Sequence, residues 1–420
     1  MREMKYSGYS WLGQIPASWT LKKGKYIFKQ KSERGNSICL RLLSPTQNYG
    51  VIPQDLYEEM SGMTAVKLND KIELTGLKTV HRGAYVISLR SFQGGFEYSE
   101  YEGVVSPAYQ VFYPQVPICD GYYKYMFKER GFIEKMNSFT ISLRDGKSIA
   151  FSDFGNTYIL LPPVVEQNRI AFFLDKKCAE IDSLTADVQK EIETLQEYRR
   201  SLITEAVTKG LDPNTEMKES GIQWIGAMPS HWGCERGKFI FRYVQKPVRD
   251  DDGVITCFRD GEVTLRSKRR EEGFTMADKE IGYQGIDVGD LVVHGMDGFA
   301  GAIGISDSRG KASPVLNVLD TNQCKKYFMY YLRSMAYSDV FIATATGIRV
   351  RSCDLRWNKL AEFRYPLPPV NEQYRIADLL DKKCAEIDSV IETKQKQLET
   401  LAEYRKSLIY EYVTGKKEVV

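Results

Sequence analysis

The residues that could do chemistry in this chain of 420 residues are few and widely separated. The three histidines are His81, His231 and His294, and the eight cysteines occur singly, without a CxxC pair. A transition-metal site needs several such ligands at short, regular spacing. The sequence therefore predicts no metal site. Cys178 and Cys384 occupy one position of an internal repeat, which favours packing thiols in a reduced, cytoplasmic setting.

Motifs that hold a reacting phosphate or a methyl donor are incomplete. Gly146-Lys-Ser resembles the end of a phosphate-binding loop, but Ile141 stands where the first glycine belongs. Gly298, Gly301 and Gly304 are spaced by three and do not form GxGxxG. The Asp-Pro-Pro-Tyr motif with which an adenine methyltransferase holds its target amine is absent from the sequence. We predict a chain with no catalytic site and no cofactor of its own.

Local clusters of positive charge indicate a binding function. The formal net charge is only +3, so a nucleic-acid face would have to come from such clusters. Arginine can donate two hydrogen bonds to guanine or to a phosphate, and lysine offers a point charge. A solvated surface is the alternative, because Glu271 and Glu272 follow one cluster directly. The candidates for DNA contact are Lys78, Arg82, Arg90, Arg144, Lys147, Arg259, Arg266, Lys268, Arg269, Arg270, Arg349, Arg351 and Arg356.

The strongest pattern in the chain is a duplication. Residues 161–183 and 367–389 are the same except at four positions, and a shorter echo links residues 7–19 with residues 220–232. The stretches between echo and repeat do not match each other. The sequence therefore predicts one repeated frame that carries two diverged domains. The four differing pairs are Val165/Asn371, Asn168/Tyr374, Phe172/Asp378 and Phe173/Leu379.

Each repeat continues into a heptad pattern without an internal glycine or proline. This pattern predicts two helices of about 40 residues and about 60 Å, each starting at or just after a Pro-Pro pair. In the second copy, Lys394 interrupts the apolar seam. The predicted apolar positions are Leu174, Ile181, Val188, Leu195, Leu202, Ile170, Leu184, Ile192 and Tyr198 in the first copy, and Ile376, Leu380, Ile387, Leu398, Leu401, Tyr404 and Leu408 in the second.

The remaining sequence predicts an α+β fold. Residues 84–89 and 290–294 alternate like strands, and the aromatic-rich residues 121–127 and 326–332 read as short helices. We expect two globular α/β domains joined by two long antiparallel coiled-coil helices in a pseudo-twofold tandem repeat, with the chain termini close together. The predicted division is a first domain over 1–160, a helix over 161–210, a second domain over 211–366 and a second helix over 367–415.

Several repeated motifs resemble one protein family. Each long helix begins with LPP-x2-EQ-x-RIA, from Leu161 and from Leu367, and both continue to EYR-x-SLI-x-E-x-VT. The echoes read Trp-x-Gly-x-x-Pro-x-x-Trp and end at Trp19 and Trp232. Over essentially its whole length, the chain resembles the specificity subunits of type I restriction–modification systems.

The resemblance implies a non-catalytic subunit. Two target-recognition domains would each read one half of a bipartite double-stranded DNA target, and the helices would set the gap between the halves. Two methyltransferase subunits that use S-adenosylmethionine would bind the chain, and restriction/translocase subunits would join for cleavage. The alternative function is a coiled-coil adaptor that binds proteins through its end domains. A third hypothesis is a self-sufficient enzyme.

Identical helix positions in the two repeats suggest two identical partner surfaces, with recent duplication as the alternative explanation. No signal peptide and no apolar run of membrane-spanning length is expected. The candidate partner-binding residues are Glu166, Gln167, Asp175, Lys176, Lys177 and Glu180 in the first repeat, and Glu372, Gln373, Asp381, Lys382, Lys383 and Glu386 in the second.

Overall fold

The chain folds into two units, and each unit includes parts of both repeated segments. The first unit comprises Met1–Val188 and Lys396–Val420, and the second comprises Gln189–Gln395. The computed structural model describes residues 2–34, 41–63, 76–88, 95–139, 149–269, 281–344 and 355–419.

The first unit carries a four-stranded antiparallel sheet with the order β4-β11-β8-β9. Smaller pairs flank it: β1-β2, β12-β3, β10-β7 and β5-β6. The strands are β1 Met4–Tyr6, β2 Gln14–Pro16, β3 Thr20–Lys23, β4 Phe28–Gln30, β5 Leu43–Thr46, β6 Gly50–Pro53, β7 Lys78–Val80, β8 Tyr85–Ile87, β9 Phe96–Tyr98, β10 Gly103–Val105, β11 Gln110–Pro114 and β12 Tyr158–Leu161. The helices are α1 Gly24–Ile27, α2 Gln54–Ser61, α3 Asp120–Met126, α4 Arg130–Asn137, α5 Phe151–Asn156 and α6 Val164–Lys209.

The second unit has a four-stranded antiparallel sheet with the order β16-β23-β20-β21, and the pairs β13-β14, β15-β24, β19-β22 and β17-β18. The strands are β13 Met217–Glu219, β14 Ala227–Pro229, β15 Gly233–Arg236, β16 Arg242–Val244, β17 Ile255–Cys257, β18 Val263–Leu265, β19 Gln284–Ile286, β20 Leu291–His294, β21 Ile303–Ile305, β22 Gly310–Ala312, β23 Leu316–Asp320 and β24 Arg364–Leu367. The helices are α7 Gly237–Ile240, α8 Lys325–Tyr337, α9 Val340–Ala343, α10 Trp357–Leu360 and α11 Val370–Val413.

The two domains share one topology although their sequences do not match. Each strand pairing of the first unit recurs in the second with the strand number raised by twelve. The predicted α+β class and the short helices α3 and α8 are confirmed. A core requires apolar residues of suitable size at inward positions rather than particular residues, so the fold outlasts the sequence similarity.

Aromatic side chains fill both cores. In the first unit, the ring of Phe28 lies 5.3 Å from that of Tyr123 and 5.4 Å from that of Phe112, each in an edge-to-face arrangement. In the second, Phe241 lies 5.0 Å from Phe328 and 5.2 Å from Tyr365. Such pairs add about 0.5–1.5 kcal/mol each beyond their buried area.

Both long helices begin directly after a Pro-Pro pair and end near a glycine. They contain 46 and 44 residues, more than the predicted 40, and 1.5 Å per residue makes them about 69 and 66 Å long. Gly210 and Gly415 follow the two helices with φ of 78° and 70°, the left-handed conformation common at helix ends.

Within each unit the two long helices run antiparallel, as predicted. In the first unit, the rings of Phe173 and Tyr412 lie 4.4 Å apart, and Arg405 Nε lies 3.3 Å from Asp182 Oδ1. In the second, Arg199 forms an ion pair with Asp388. Arg199 and Asp388 are the repeat counterparts of Arg405 and Asp182, so the same contact fixes the helix register in both units.

Part of the predicted apolar seam is wrong. Leu184, Tyr198 and Tyr404 are more than half exposed, because over the middle of each helix only the partner helix covers a narrow stripe. Lys394, which interrupts the seam, forms an ion pair with Glu191. The predicted packing thiols Cys178 and Cys384 are buried, as expected.

The Trp echoes tie the start of one long helix to the end of the other. In the first unit, Trp19 Nε1 donates a hydrogen bond of 2.7 Å to Glu166 in the first turn of α6. The same Trp19 packs beside Gly415, just beyond α11, and Lys416 Nζ donates to Leu12 O at 2.8 Å. The last contact brings the two ends of the chain together, as predicted.

The second unit repeats this junction with a change of partner. Trp232 packs beside Gly210 at the end of α6, and the carboxylate of Glu372, in the first turn of α11, lies 2.9 Å from His231 Nε2. In the part of the chain that the structure describes, Trp232 Nε1 has no hydrogen-bond acceptor. Repetition of the echo therefore reflects a structural junction.

The two junction glycines provide a matched stability test. A Cβ at Gly415 would lie 2.5 Å from Pro16 Cγ, whereas at Gly210 the nearest atom is Trp232 Cζ2 at 3.2 Å. We expect Gly210→Ala to cost about 1 kcal/mol through its positive φ, and Gly415→Ala to cost about 1–3 kcal/mol more through overpacking. Urea unfolding of the full-length chain measures both, and equal losses would contradict the tighter packing at Gly415.

Candidate functional site

A buried glutamine at the start of each long helix attaches the adjoining domain. Gln167 Oε1 accepts a hydrogen bond of 2.8 Å from Cys119 N, and its Nε2 donates to Pro162 O at 2.7 Å. Gln373 makes the same pair of contacts, with Cys324 N at 3.0 Å and Pro368 O at 2.9 Å.

Both glutamine side chains are fully buried. The prediction that Gln167 and Gln373 bind a partner is therefore wrong, because neither side chain reaches the surface. Their amides pair a backbone donor and a backbone acceptor that would otherwise be buried without partners, which costs about 1–3 kcal/mol per group. Repetition of this glutamine follows from that structural requirement.

Other repeated residues on the partner list also make internal contacts. Tyr125 Oη donates to Asp175 Oδ1 at 2.9 Å, and Tyr330 Oη donates to Asp381 Oδ1 at 2.7 Å. One turn earlier along α3 and α8, Tyr122 and Tyr327 donate to the carbonyl oxygens of Val413 and Val207. The short helices thus hold the beginning of one long helix and the end of the other. Glu166 and Glu372 serve the Trp junctions described above.

The remaining partner candidates face solvent to a greater extent. Lys177 Nζ lies 2.7 Å from Glu180 Oε2, and Lys383 Nζ lies 2.8 Å from Glu386 Oε2. Lys176 and Lys382 are exposed. Ion pairs this exposed contribute about 0–1 kcal/mol, so these charges are open to another molecule.

The two exposed helix faces are not identical. Positions 165, 168 and 172 fall on one face of α6 because they are spaced by three and four residues. Val165 is 67% exposed and Phe172 is 74% exposed, whereas the counterpart of Phe172 is the exposed Asp378. Three of the four differences between the repeats therefore lie on this face.

In the first unit, one of the two described candidates for DNA contact is buried and the other is exposed. Lys78 is buried, and its Nζ donates to Tyr109 O at 2.6 Å. Burial lowers the pKa of its ammonium group, and the nearby charge of Arg34 adds to this. The prediction that Lys78 offers its charge at the surface is wrong, because strand β7 turns it inward. Arg82, in the turn between β7 and β8, is exposed.

In the second unit, the described candidates surround the β17–β18 hairpin and several have acidic partners. Arg259 pairs with Asp297 at 2.9 Å, and Lys268 Nζ donates to Ser308 Oγ at 2.7 Å and lies 3.3 Å from Asp307.

Arg269 stacks over the ring of Phe258 at 4.2 Å and pairs with Glu262 at 2.8 Å and with Asp260. Arg266 Nε donates to Thr256 Oγ1 at 3.1 Å, and Arg356 is exposed beside α10. The hairpin therefore carries arginines whose exposed ion pairs are weak enough to exchange for phosphate.

Six of the candidates, Arg90, Arg144, Lys147, Arg270, Arg349 and Arg351, lie outside the described residues. Among the residues that the structure does describe, no group of three or more histidine, cysteine, aspartate or glutamate side chains could hold a metal ion. No described helix is both long enough and apolar enough to cross a membrane.

Sequence reasoning missed the residues that complete the junctions. Arg2 pairs with Glu166 and lies over the ring of Trp19 at 5.3 Å, a role that His231 takes toward Glu372 in the second unit. The joint repetition of the Trp echo and the Glu-Gln pair was the available signal, because two motifs duplicated together can be two sides of one contact.

The fold and its junctions define a protein that holds two separate domains of one topology on a duplicated helical frame. The chain is 26% identical over 306 residues to the specificity subunit of the type I restriction enzyme MjaVIII of Methanocaldococcus jannaschii, a match that covers 67% of this chain and 68% of that protein. It is 24% identical over 269 residues to the putative MjaX specificity subunit of the same organism, covering 62% of this chain and 59% of that relative.

Solved structures agree on the fold. A chain from a type I restriction–modification system superposes with a TM-score of 0.70 at 12% identity, over 96% of this chain and 99% of that one. The HsdS subunit from Thermoanaerobacter tengcongensis gives a TM-score of 0.52 at 11% identity, over 98% and 99%. No protein-family model matches. Over about two thirds of its length the chain is thus similar in sequence to specificity subunits of type I restriction–modification systems, and its fold matches solved structures from such systems.

Proposed function

We propose that this chain gives a DNA methyltransferase complex its sequence specificity, with each domain reading one half of a bipartite double-stranded target. The observation that carries the proposal is the pair of domains with one topology and unrelated sequences on a duplicated frame. Two readers that use the same architecture can approach the duplex in equivalent ways while their differing surface residues select different bases.

The chain itself catalyses no reaction in this proposal. Methylation of adenine belongs to two methyltransferase subunits, which bind S-adenosylmethionine, and cleavage belongs to restriction/translocase subunits. The exposed arginines around the β17–β18 hairpin, together with Arg82 in the first unit, support contact with DNA. The two relatives named as specificity subunits support the same assignment.

Mapping of methylated adenines tests this function. The chain is co-expressed with a neighbouring methyltransferase gene, and the modified positions are located across the genome with and without the chain. We expect one bipartite motif, two short and different halves around a fixed gap, that disappears when the chain is omitted. Methylation that is absent or independent of the chain would instead favour the protein-binding adaptor.

The long helices would set the gap between the two halves of the target. Seven residues lengthen a helix by about 10 Å, close to three base pairs at about 3.4 Å each. One heptad inserted at the middle of both α6 and α11 should therefore lengthen the gap by up to about three base pairs and leave both halves unchanged. The same adenine mapping measures the gap, and an unchanged gap would rule out spacing by the helices.

The partner subunits would dock on the first halves of α6 and α11, where the remaining exposed lysines and glutamates recur. Because the second repeat has Asp378 where the first has Phe172, the two docking surfaces differ and should bind the same subunit with unequal strength. A buried aromatic contact contributes well over 1 kcal/mol at many interfaces. We therefore expect two copies of the methyltransferase subunit to bind the chain in two steps of different affinity.

Reciprocal substitutions identify the two steps. Phe172→Asp should weaken one step by about tenfold or more and leave the other unchanged, whereas Asp378→Phe should alter only the other step. Titration of the chain with purified methyltransferase subunit, followed by calorimetry, measures both. If neither substitution changes either step, the partner does not use this face.

A further inference from the structure

A polar groove in the second unit lies between the last part of α6 and the end of α8. It consists of two adjoining cavities of about 430 and 350 Å3, which share Arg200 and Tyr337 in their walls. Arg333 and Arg259 line the first cavity, and the hydroxyl-bearing residues Ser201 and Thr204 line the second.

The chemistry of these walls suits an extended anion. Sites for apolar small molecules are lined mainly by hydrophobic and aromatic side chains. The walls of this groove are mostly polar, with guanidinium and hydroxyl groups around Tyr337 and with Phe299 as the other aromatic ring. Arginine together with serine and threonine is the set of side chains that proteins use on the sugar-phosphate backbone of DNA.

Two arginines make cation–π contacts with the ring of Tyr337, which lines both cavities of the groove. The guanidinium of Arg200 lies 5.5 Å from the ring centroid and that of Arg333 lies 5.9 Å from it. Arg333 Nε also donates to Tyr337 Oη at 3.0 Å, and its Nη2 donates to Asp260 O at 2.6 Å. These contacts hold the cations in place without neutralising them.

None of the carboxylates in the walls of the groove pairs with Arg200. Asp260 pairs with Arg269, and Glu205 lies 3.6 Å from Lys209. In the described chain no carboxylate lies within ion-pair distance of Arg200. Three of the five basic side chains in the walls are also paired, Arg199 with Asp388, Arg259 with Asp297 and Lys209 with Glu205. Arg200 and Arg333 then remain against Asp339, so the groove keeps a small excess of positive charge.

In the described part of the first unit, the counterparts of these arginines have carboxylate partners. Lys406 is the repeat counterpart of Arg200, and its Nζ lies 2.7 Å from Glu403. Lys128 follows Tyr125 by three residues, as Arg333 follows Tyr330. Lys128 pairs with the buried Glu97, and burial raises the pKa of that carboxyl group to about 7. Both of these cations therefore have a carboxylate partner, an exposed one for Lys406 and a buried one for Lys128, whereas Arg200 has none among the described residues.

We propose that this groove binds the phosphodiester backbone of DNA, with Arg200 as its principal phosphate contact. The inference rests on the proposed function, because it adds a positioning contact to a chain that reads DNA elsewhere. A contact to phosphate fixes the register of the protein on the duplex and carries no sequence information of its own. The groove therefore affects how tightly the second unit holds DNA and not which bases it selects.

The test compares Arg200→Ala with its counterpart Lys406→Ala in the full-length chain assembled with its partner subunits. Affinity for a duplex that carries the mapped target, and for one that lacks it, is measured across a range of salt concentrations. Each lost phosphate contact should lower the slope of log affinity against log salt by about 0.9. We expect Arg200→Ala to lose one such contact and severalfold in affinity on both duplexes, and Lys406→Ala to lose neither.

The other outcomes separate the two proposals. If the unaltered complex shows no salt-dependent DNA binding, the proposed function itself fails. If it binds DNA and Arg200→Ala changes neither slope nor affinity, the groove inference is wrong while the function stands. If Arg200→Ala weakens assembly with the partner subunits and leaves DNA binding intact, the groove holds an acidic protein segment instead. Arg200→Glu, which reverses the charge at an exposed helix position, should deepen the loss on DNA.

Discussion

The architecture depends on one buried side chain at the start of each long helix. Gln167 and Gln373 each join a proline carbonyl that precedes the helix to the amide at the beginning of a domain helix. Because both amide groups are satisfied inside the protein, the helix leaves its domain at a defined angle. The tyrosines of α3 and α8 then add bonds to the end of the opposite helix. Every residue around these bonds is constrained, whereas the far surface of each domain is free to change.

This constraint explains why one part of the chain is nearly duplicated and another is not. The frame residues meet each other across the junction, so that a change on one side requires a matching change on the other. The domain residues need only retain apolar inward positions, and the shared sheet order shows that they have done so. Divergence outside the frame is thus compatible with an unchanged fold.

Patterns with a single physical cause were predictable from the sequence. The heptads predicted the long helices, the repeat predicted their antiparallel pairing, and the aromatic-rich stretches predicted α3 and α8. The common topology was not predictable, because it depends on non-local pairing that leaves no fixed residue pattern. Gln167 and Lys78 were misplaced for a related reason: a polar side chain reads as exposed unless its buried partner, here a distant backbone group, is already known. The opposite error was made for Tyr198, which was predicted to lie in the apolar seam and is exposed. An apolar heptad position is buried only where a second helix covers it.

The order of the chain through the two units also has a consequence for biosynthesis. The second unit is formed by the continuous stretch Gln189–Gln395, whereas the first needs Lys396–Val420 in addition to its own first 188 residues. A ribosome that has made the whole second unit has therefore still not supplied the last segment of the first. Until that segment emerges, the apolar residues that await Leu408, Ile409 and Val413 stay uncovered. The unit that begins first is completed last, and truncation of the final 25 residues should leave it open to chaperones and proteases even though nearly nine-tenths of its sequence is present.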